Sequence, residues 1–436
     1  MVVSFSKSLI SNDNVMVNRD GSAKIFAATS PALGAIFSLS TDVIHVEDYG
    51  AVGDGSTDNS AAISNAVTAC VFAGGCTLHF GSSTGNQFVM QGVQIVGNSV
   101  RMVCEGGVTL INKSANSYAI QFGDGTTQYN SDGITGCTFG QLMSVVAGPG
   151  NVALKLNNLL QMNVQNVTIK NYPSAPYDAL IAYNINQTTI DKLYVAGAKN
   201  NGIQITSSGS PNGGDIFLSN VQSNSNGMDG LNFGDDGGIY ADNVTAFGNG
   251  RYGWNLYKIS FGNVNLFFSN CVGDTSGSYN WSITSLNNGQ FSNAWGSTQL
   301  QTSVNAFAAG FFFAGPDVKN IVMTNPVASY NNSHGIMIFN AGGMPQHISI
   351  VNPIAGSSTN GNGRSGAGNG IWIDNYPTDI SIIGGMALSN TSGAIHTGTV
   401  PTVYISNVQG YAPAPVSCSG VPSATFTVDR GVVTHC

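Results

Sequence analysis

The sequence predicts an all-β protein in which short parallel strands stack as a solenoid. One recurring phrase is a glycine followed by alternating apolar residues; its glycines are Gly202, Gly230, Gly253, Gly310, Gly335 and Gly370. A second phrase alternates apolar and other residues and ends in asparagine, at Asn166, Asn220, Asn243, Asn270, Asn325, Asn352 and Asn407. A phrase that returns every few tens of residues is the sequence signature of a repeat architecture.

Composition supports strands and turns over helices. Only 8% of the 436 residues are charged, 56 are Gly, and glutamate occurs only at Glu47 and Glu105. Helices favour Glu, Lys and Arg, whereas turns favour Gly, Asn, Asp and Ser. The length allows two or three domains, but the repetition favours one elongated domain. The formal charge of −8 argues against a nucleic-acid partner.

Residues 1–40 are predicted to form a separate leader. Apolar and polar residues alternate around a turn at Asp20 and Gly21, which indicates a small hairpin. The segment resembles the short leader of some phage tail proteins, which implies attachment to a tail or baseplate. No basic segment leads into an apolar run, so a secretory signal is not visible, and no apolar stretch is long enough to span a membrane.

Residues 43–80 read as strand, loop, helix and strand. A strand at 43–46 precedes a helix near 58–72 that Thr57 or Asp58 would cap, and GGCTLHF reads as the next strand. One helix face carries Ile63, Ala66, Val67 and Cys70. The run DYGAVGDGSTDNSAAI followed by GGCTLHF resembles the opening of right-handed β-helix proteins of the pectate-lyase superfamily, which include polygalacturonase-like enzymes and many phage tailspikes. The resemblance implies a right-handed parallel β-helix at 41–410 whose open end this helix covers, followed by a β tail at 411–436.

Strand alternation predicts which side chains face inward. In the glycine phrase the residues one and three positions after glycine point inside, which places Trp254 in the core. Trp281 occupies the same position in a copy of the phrase that lacks the glycine, so it is also predicted to lie in the core. Phe312, Met337 and Trp372 should form an exposed apolar stripe, typical of a subunit interface. The asparagines of the second phrase are expected to point inward and to form a hydrogen-bonded structural ladder.

The seven cysteines match no zinc pattern. Cys70 could approach Cys76, and Cys418 could approach Cys436, but mostly free, buried thiols are the favoured interpretation.

The motifs for phosphate binding, zinc proteases and serine hydrolases are missing, so we expect no cofactor and no metal. Acidic residues cluster at 228–238, with Asp215 before and Asp242 after this segment. Paired carboxyls supply the acid and the base or nucleophile of glycosidic cleavage. The predicted catalytic residues are Asp215, Asp229, Asp235 and Asp236.

The repeat register places Lys258 one coil below Asp235, where the lysine would keep that carboxylate ionised. Asp236 or Asp229 would then retain a proton. The alternative is that Asp235 and Asp236 simply occupy a turn between glycines. The predicted substrate-binding residues are Lys258, Arg251, Tyr257, Asn232, Asn255 and Asp242.

The segments MDG, GDD and SHG resemble three motifs of polygalacturonases. However, Asp229 and His334 share one column of the repeat four coils apart, about 19 Å, and the Arg-Ile-Lys signature is missing. These departures argue against a polygalacturonase.

The favoured interpretation is a homotrimeric phage or prophage tailspike that binds and hydrolyses a bacterial surface polysaccharide. Such a protein is expected in the virion tail or outside the cell, made in the host cytoplasm. The alternatives are a non-catalytic glycan-binding structural tail protein and a bacterial polysaccharide lyase.

Overall fold

The computed structural model describes residues 14–17, 23–26, 43–171, 174–207, 214–297, 308–356, 362–363, 368–398, 403–411, 427–429 and 432–435. Over the main part of this range the chain forms a right-handed parallel β-helix of about 12 turns, as the sequence predicted. The helices within these ranges are too short or too polar to cross a membrane.

Two antiparallel hairpins lie near the chain ends. β1 (Asn14–Val17) pairs with β2 (Ala23–Phe26), and β38 (Thr427–Asp429) pairs with β39 (Val432–His435). The first pairing agrees with the predicted hairpin, although its predicted turn residues, Asp20 and Gly21, lie outside the described residues.

Successive coils contribute strands to three parallel sheets, which we call A, B and C. Sheet A consists of β7 (Val93–Ile95), β10 (Tyr118–Phe122), β11 (Tyr129–Asn130), β14 (Val152–Leu160), β16 (Asp178–Asn186), β18 (Ile203–Thr206), β21 (Leu231–Gly234), β24 (Tyr252–Tyr257), β27 (Tyr279–Ile283), β30 (Ala309–Ala314), β32 (His334–Phe339), β34 (Asn369–Asp374) and β36 (Gly393–Thr397).

Sheets B and C are joined because β15 (Asn163–Lys170) and β17 (Thr189–Ala196) run through both. Sheet B further contains β3 (Val43–His45), β5 (Cys76–Phe80), β8 (Val100–Cys104), β12 (Gly133–Thr135), β19 (Ile216–Ser219), β22 (Gly237–Asp242), β25 (Val264–Ser269), β28 (Leu286–Ser292), β31 (Val318–Thr324), β33 (Gln346–Val351), β35 (Thr378–Ile383) and β37 (Val403–Ser406). Sheet C further contains β4 (Asp54–Asp58), β6 (Gln87–Met90), β9 (Thr109–Asn112), β13 (Thr138–Gln141), β20 (Gln222–Asn224), β23 (Thr245–Phe247), β26 (Val272–Asp274) and β29 (Trp295–Ser297).

The predicted N-terminal helix is α1 (Ser60–Phe72), which packs against β3, β5, β7 and the short 3₁₀ helix at Val46–Tyr49. The four residues predicted for its apolar face are all buried. The cap position is Asn59, not Thr57 or Asp58. Asp58 nevertheless accepts the backbone N–H of Ser60 at 3.0 Å, so its carboxylate still satisfies a free donor of the first turn.

The core is a continuous column of apolar side chains. Trp254 and Trp281 are fully buried and stack with ring centroids 4.4 Å apart, as the alternation predicted. Their indole N–H groups donate to the carbonyls of Val272 and Trp295, so burial leaves no polar atom of these rings unpaired.

The predicted exposed apolar stripe is wrong in one respect. Phe312, Met337 and Trp372 do lie on the outer face of sheet A, but Met337 is 0% exposed, Phe312 is 9% exposed and Trp372 is half-buried. They pack with Ala309 and Ala314 in a second apolar cluster. The chain itself therefore covers most of this stripe, which removes the argument that a partner subunit must do so.

The asparagines of the second phrase form a ladder, but on the outside. All of them are exposed and adopt positive φ at the corner between sheets B and C, so the predicted inward orientation is wrong. Asn243 donates to Asn220 at 2.8 Å, and Asn293 donates to Asn270 at 3.1 Å. The left-handed conformation, which Asn tolerates well, turns the side chain outward.

A different set of asparagines forms the buried ladder. Asn226 donates to Asn249 at 2.9 Å, and Asn331 donates to Asn362, which donates in turn to Asn390. These residues follow sheet C, and their amides also bond backbone carbonyls inside the coil.

The cysteines are more paired than expected. Disulfides join Cys70 to Cys76 and Cys104 to Cys137, which corrects the prediction of mostly free thiols. Cys271 is a free buried thiol, and burial raises its pKa to about 12. Cys418 and Cys436 lie outside the described residues.

Candidate functional site

The structure divides the predicted site residues between two faces. Asp229, Asn232, Arg251, Asn255 and Tyr257 lie on or beside the outer face of sheet A. Asp235 and Asp236 lie in the turn after β21, and Lys258 lies in the loop after β24 on the next coil. Asp215 and Asp242 lie at the two ends of strands in sheet B. The acidic cluster of the sequence is therefore not one constellation in space.

Asp229 is fully buried and is held by a guanidinium. Arg251 donates from Nε to Oδ1 at 2.7 Å and from Nη2 to Oδ2 at 2.5 Å, and Asn255 adds a donor at 3.1 Å. The Arg251 guanidinium, partly exposed, also lies 4.7 Å from the ring centre of Tyr252. The bidentate pair fixes both groups in one orientation.

Asp235 supports a loop. Its carboxylate accepts the backbone N–H groups of Ile259 at 2.9 Å and Gly262 at 2.7 Å, and that of Ser260. Burial raises the pKa of Asp235, but the backbone N–H bonds outweigh it and the pKa lies below its ordinary value. The predicted contact with Lys258 is wrong, because Lys258 pairs with Asp317 at 3.0 Å.

Asp236 is a fully buried carboxyl next to this loop. Ser207 Oγ lies 2.7 Å from Oδ1, and Oδ2 has no hydrogen-bond partner among the described residues. Burial raises the pKa of Asp236 to about 7, with a smaller contribution from the charge of Asp235. Sequence analysis expected a proton on Asp236 or Asp229, and the direction of this shift agrees with that expectation for Asp236.

Asp178 was not among the predicted site residues. It begins β16 on the outer face of sheet A. The strand register places Asn201 on the next rung and Asp229 on the rung after that, so Asp178 and Asp229 lie two rungs or about 10 Å apart. Asn200 and Asn201 donate to its Oδ1, and burial raises its pKa. The signal was present in the sequence, because Asp178 precedes Leu180 as Asp229 precedes Leu231, but Ala179 replaces the glycine of the phrase.

His334 is a packing residue. It is 8% exposed, its ring stacks on Trp372 at 5.0 Å, and its Nδ1 accepts the backbone N–H of Asn369. Burial lowers the pKa of His334 to about 4, and four rungs separate it from Asp229, as the repeat predicted. Both facts agree with excluding it as a polygalacturonase histidine.

The outer face of sheet B carries an aromatic ridge formed by Phe217, Tyr240 and Phe267. The rings stack on successive rungs, 5.1 Å and 5.0 Å between centroids, and Phe217 and Tyr240 remain 45% and 39% exposed. Single exposed apolar residues are common on protein surfaces, but contiguous apolar patches such as three stacked rings often mark binding sites.

A groove lies on each side of the ridge. The cavity on one side, about 510 Å³, is lined by Asp215 and by Gly214, Gly237 and Gly238, whose missing side chains leave it open. The cavity on the other side, about 370 Å³, is lined by Asp242 with Ser219, Ser269, Gln290 and Ser292. An apolar wall therefore faces a row of hydroxyl, amide and carboxylate groups.

Asp215 and Asp242 do not form a catalytic pair. Asp242 lies one rung from Ser219, which is four strand positions beyond Asp215, so the two carboxyls are about 14 Å apart. Paired glycosidase carboxyls lie about 5 to 9.5 Å apart. No cluster of three potential metal-ligating His, Cys, Asp or Glu side chains occurs in the described ranges.

No protein-family model and no curated protein sequence matches the chain. Among solved structures it is similar to the family 28 exopolygalacturonase of Yersinia enterocolitica, with 13% identity, 90% of this chain and 82% of that chain covered, and a TM-score of 0.50. It is also similar to PfbA, a surface adhesin of Streptococcus pneumoniae, with 14% identity, 84% and 89% coverage, and a TM-score of 0.50.

Tailspike protein 3 of bacteriophage CBA120 is a further similar structure, with 13% identity, 88% and 63% coverage, and a TM-score of 0.46. At these identities the likenesses show the fold alone. Since that fold carries both an enzyme and an adhesin in the first two proteins, function has to be argued from the surfaces of this chain.

Proposed function

We propose that the protein binds a bacterial surface polysaccharide along the outer face of sheet B. The exposed aromatic ridge, with a groove on each side whose lining includes polar groups, carries this proposal. Sugar rings present apolar C–H faces and a rim of hydroxyls, so an aromatic wall opposite serine, amide and carboxylate groups matches both parts. Because the ridge runs along the solenoid axis, an extended chain is the ligand shape that it accommodates.

Binding is tested with the double variant Phe217→Ala, Tyr240→Ala on a panel of immobilised capsular polysaccharides and lipopolysaccharides. Phe247→Ala is the matched control, because Phe247 has the same 45% exposure but lies on sheet C. We expect at least a tenfold loss of affinity for the bound glycan in the double variant and no change in the control. Equal affinity of all three proteins would refute the ridge as the binding site.

A second proposed function is cleavage of the glycan on sheet A. It is favoured by the position of Asp178 and Asp229 on one face, two rungs or about 10 Å apart at their Cα atoms. The carboxyl groups of inverting glycosidases lie about 6.5 to 9.5 Å apart, a separation that side chains on such a spacing reach. Asp178, whose pKa burial raises, would protonate the leaving oxygen, and Asp229, oriented by Arg251, would activate water. Asp235 and Asp236 then support the loop and do not contact substrate.

Cleavage is measured as new reducing ends, together with ultraviolet absorbance for an unsaturated product of elimination. Asp178→Asn and Asp229→Asn are each expected to reduce the rate at least a hundredfold. Asp317→Asn, a surface carboxylate paired with Lys258, is the control. Binding without shortening of the polymer would leave the non-catalytic glycan-binding alternative, and an absorbing product would favour the lyase.

The homotrimer and the tail attachment through residues 1–40 remain predictions. The solution mass of the full chain tests the first, and a monomer would contradict it. Co-purification of tail proteins with the full chain, but not with a chain lacking residues 1–40, tests the second.

A further inference from the structure

A separate cavity of about 530 Å³ opens on the outer face of sheet B, nearer the N-terminus than the ridge. We call it the Gly133 notch. Its lining is polar, and comprises Thr77, Arg101, Val103, Ser131, Asp132, Gly133, Thr135, Gln161, Asn163 and Gln165.

The notch exists because a glycine interrupts a column of outward side chains. Arg101, Gly133 and Asn163 occupy one register position on three successive strands. A Cβ atom at Gly133 would lie 3.8 Å from Cγ of Arg101 and 3.3 Å from the carbonyl oxygen of Asn163, so any longer side chain would enter the space between them.

Two ionisable side chains of the notch have polar atoms without a hydrogen-bond partner among the described residues. Arg101 is exposed and forms no hydrogen bond or ion pair within the ranges that the structure describes. Asp132 is 2% exposed; its Oδ1 accepts the backbone N–H of Val100 at 2.9 Å, but its buried Oδ2 has no partner there. Buried polar atoms are normally hydrogen-bonded, so the orphan oxygen of Asp132 needs an explanation.

Burial raises the pKa of Asp132 to about 7, so this carboxyl carries a proton at mildly acidic pH. A protonated Asp132 is neutral, so it does not repel an anion that binds in the notch. The donors available to such an anion are the guanidinium of Arg101 and the amide side chains of the lining.

The notch and the ridge belong to the same face. Gly133, Asn163, Thr189 and Phe217 occupy one register column, so about 14 Å separates the notch from the first ring of the ridge. Asn163 and Thr189, between them, are exposed, so nothing in the described chain interrupts the surface.

We propose that the Gly133 notch binds an anionic oxygen group, a carboxylate or a phosphate, carried by the glycan that lies on the ridge. This inference rests on the proposed glycan binding. Arg101 provides the charge and fork geometry for an oxyanion, and the exposed amide side chains of Asn163 and Gln165 provide further donors. The notch thereby selects polysaccharides with acidic units over neutral ones.

Three sugars that differ only at one carbon test the proposal: glucose, glucuronate and glucose 6-phosphate. Their binding to the full chain is measured by calorimetry at pH 6. We expect one anionic sugar to bind at least tenfold more tightly than glucose, and which one it is identifies the group. Equal affinity for all three would overturn the proposal.

Arg101→Gln should abolish the preference for the anionic sugar. Lys192→Gln removes the same charge from another exposed position, on β17 three rungs from the strand of Arg101, and should leave the preference intact. A preference that survives in Arg101→Gln, or disappears in Lys192→Gln, would also overturn it. Thermal unfolding of each variant shows that the loss is local.

The Phe217→Ala, Tyr240→Ala variant separates this proposal from the proposed function. The notch predicts unchanged preference for the anionic sugar in that variant, since the rings are three rungs away. If the ridge variant binds polymer normally but Arg101→Gln loses the anionic sugar, the ridge proposal fails and the notch stands. If the ridge variant loses polymer binding and Arg101→Gln keeps the preference for the anionic sugar, the notch proposal fails and the ridge proposal stands.

Discussion

Asp235 and Asp236 show that residue type alone does not determine the pKa of an acidic side chain. They are adjacent and both buried, yet the pKa of Asp235 is lowered and that of Asp236 is raised to about 7. The difference comes from the partners: three backbone N–H groups point at Asp235, whereas one serine hydroxyl contacts Asp236 and one oxygen is left without a partner. Neither the GDD sequence nor the turn between glycines reveals which carboxyl receives the donors.

The raised pKa of Asp236 predicts a specific pH dependence of stability. The folded protein holds this proton up to a pH of about 7, whereas the unfolded chain releases it near the ordinary aspartate pKa of 3.8. The stabilisation is therefore complete below 3.8 and is lost as pH rises from 3.8 to 7, at about 1.4 kcal/mol per pH unit.

Asp236→Asn removes that contribution, so urea unfolding at several pH values between 4 and 8 should show a shallower fall of the free energy of unfolding than in the wild type. Asp317→Asn, at the surface, should keep the wild-type slope. An unchanged slope in Asp236→Asn would show that Asp236 is ionised in the fold.

Two asparagine ladders run along the solenoid, and they differ in their exposure to water. The outer ladder, with Asn220 and Asn243, lies in water at the corner of sheets B and C, and the inner ladder, with Asn226 and Asn249, is sealed within the coil. Both ladders repeat with the period of the coil, but only the outer ladder contains asparagines of the second recurring phrase of the sequence.

The two ladders predict different costs for the loss of one amide side chain. Asn249→Ala removes a donor to the carbonyl of Ser223 and the acceptor of the backbone N–H of Asn226, and both groups lose these bonds inside the coil. We expect a loss of about 2 to 4 kcal/mol in the free energy of unfolding.

Asn243→Gly, the control in the exposed ladder on the same coil, should cost less than about 1 kcal/mol, since water replaces the lost bond and glycine tolerates the left-handed backbone of this position. Denaturant unfolding measures both. Equal costs would contradict the assignment of the buried ladder as the structural one.

Over the whole molecule, the outer face of sheet B forms one long, open surface. The column from Arg101 to Gln290 spans seven rungs, about 34 Å, through the notch and the ridge. A ligand must be extended to use all of it, so function at this scale depends on polymer length.

Affinity should therefore rise with oligosaccharide length until the chain spans this distance, and then level off. Graded fragments of the polysaccharide that the protein binds, measured by calorimetry, give the curve. The Phe217→Ala, Tyr240→Ala variant should level off at shorter fragments. Affinity that is already maximal for a disaccharide would show that a single pocket, not the face, binds the glycan.

The sequence by itself determined the repeat and its interior. Gly202, Gly230 and Gly253 mark the coils, and the alternation after each glycine correctly placed Trp254 inside, because strand periodicity is a local property of the chain. The capping helix was equally readable from its apolar face. The corner asparagines were misplaced because a left-handed residue breaks the alternation on which that inference depended.

Only the tertiary structure decided which outer residues meet. The pairing of Asp229 with Arg251, the position of Asp178 two rungs away and the grouping of Arg101 with Asp132 all depend on contacts between coils. Coil lengths vary, so that register cannot be counted from a single strand. Burial of Met337 likewise depends on the packing of side chains from neighbouring coils. Alternation along one strand gives a side chain its direction, but the neighbouring coils determine what it contacts.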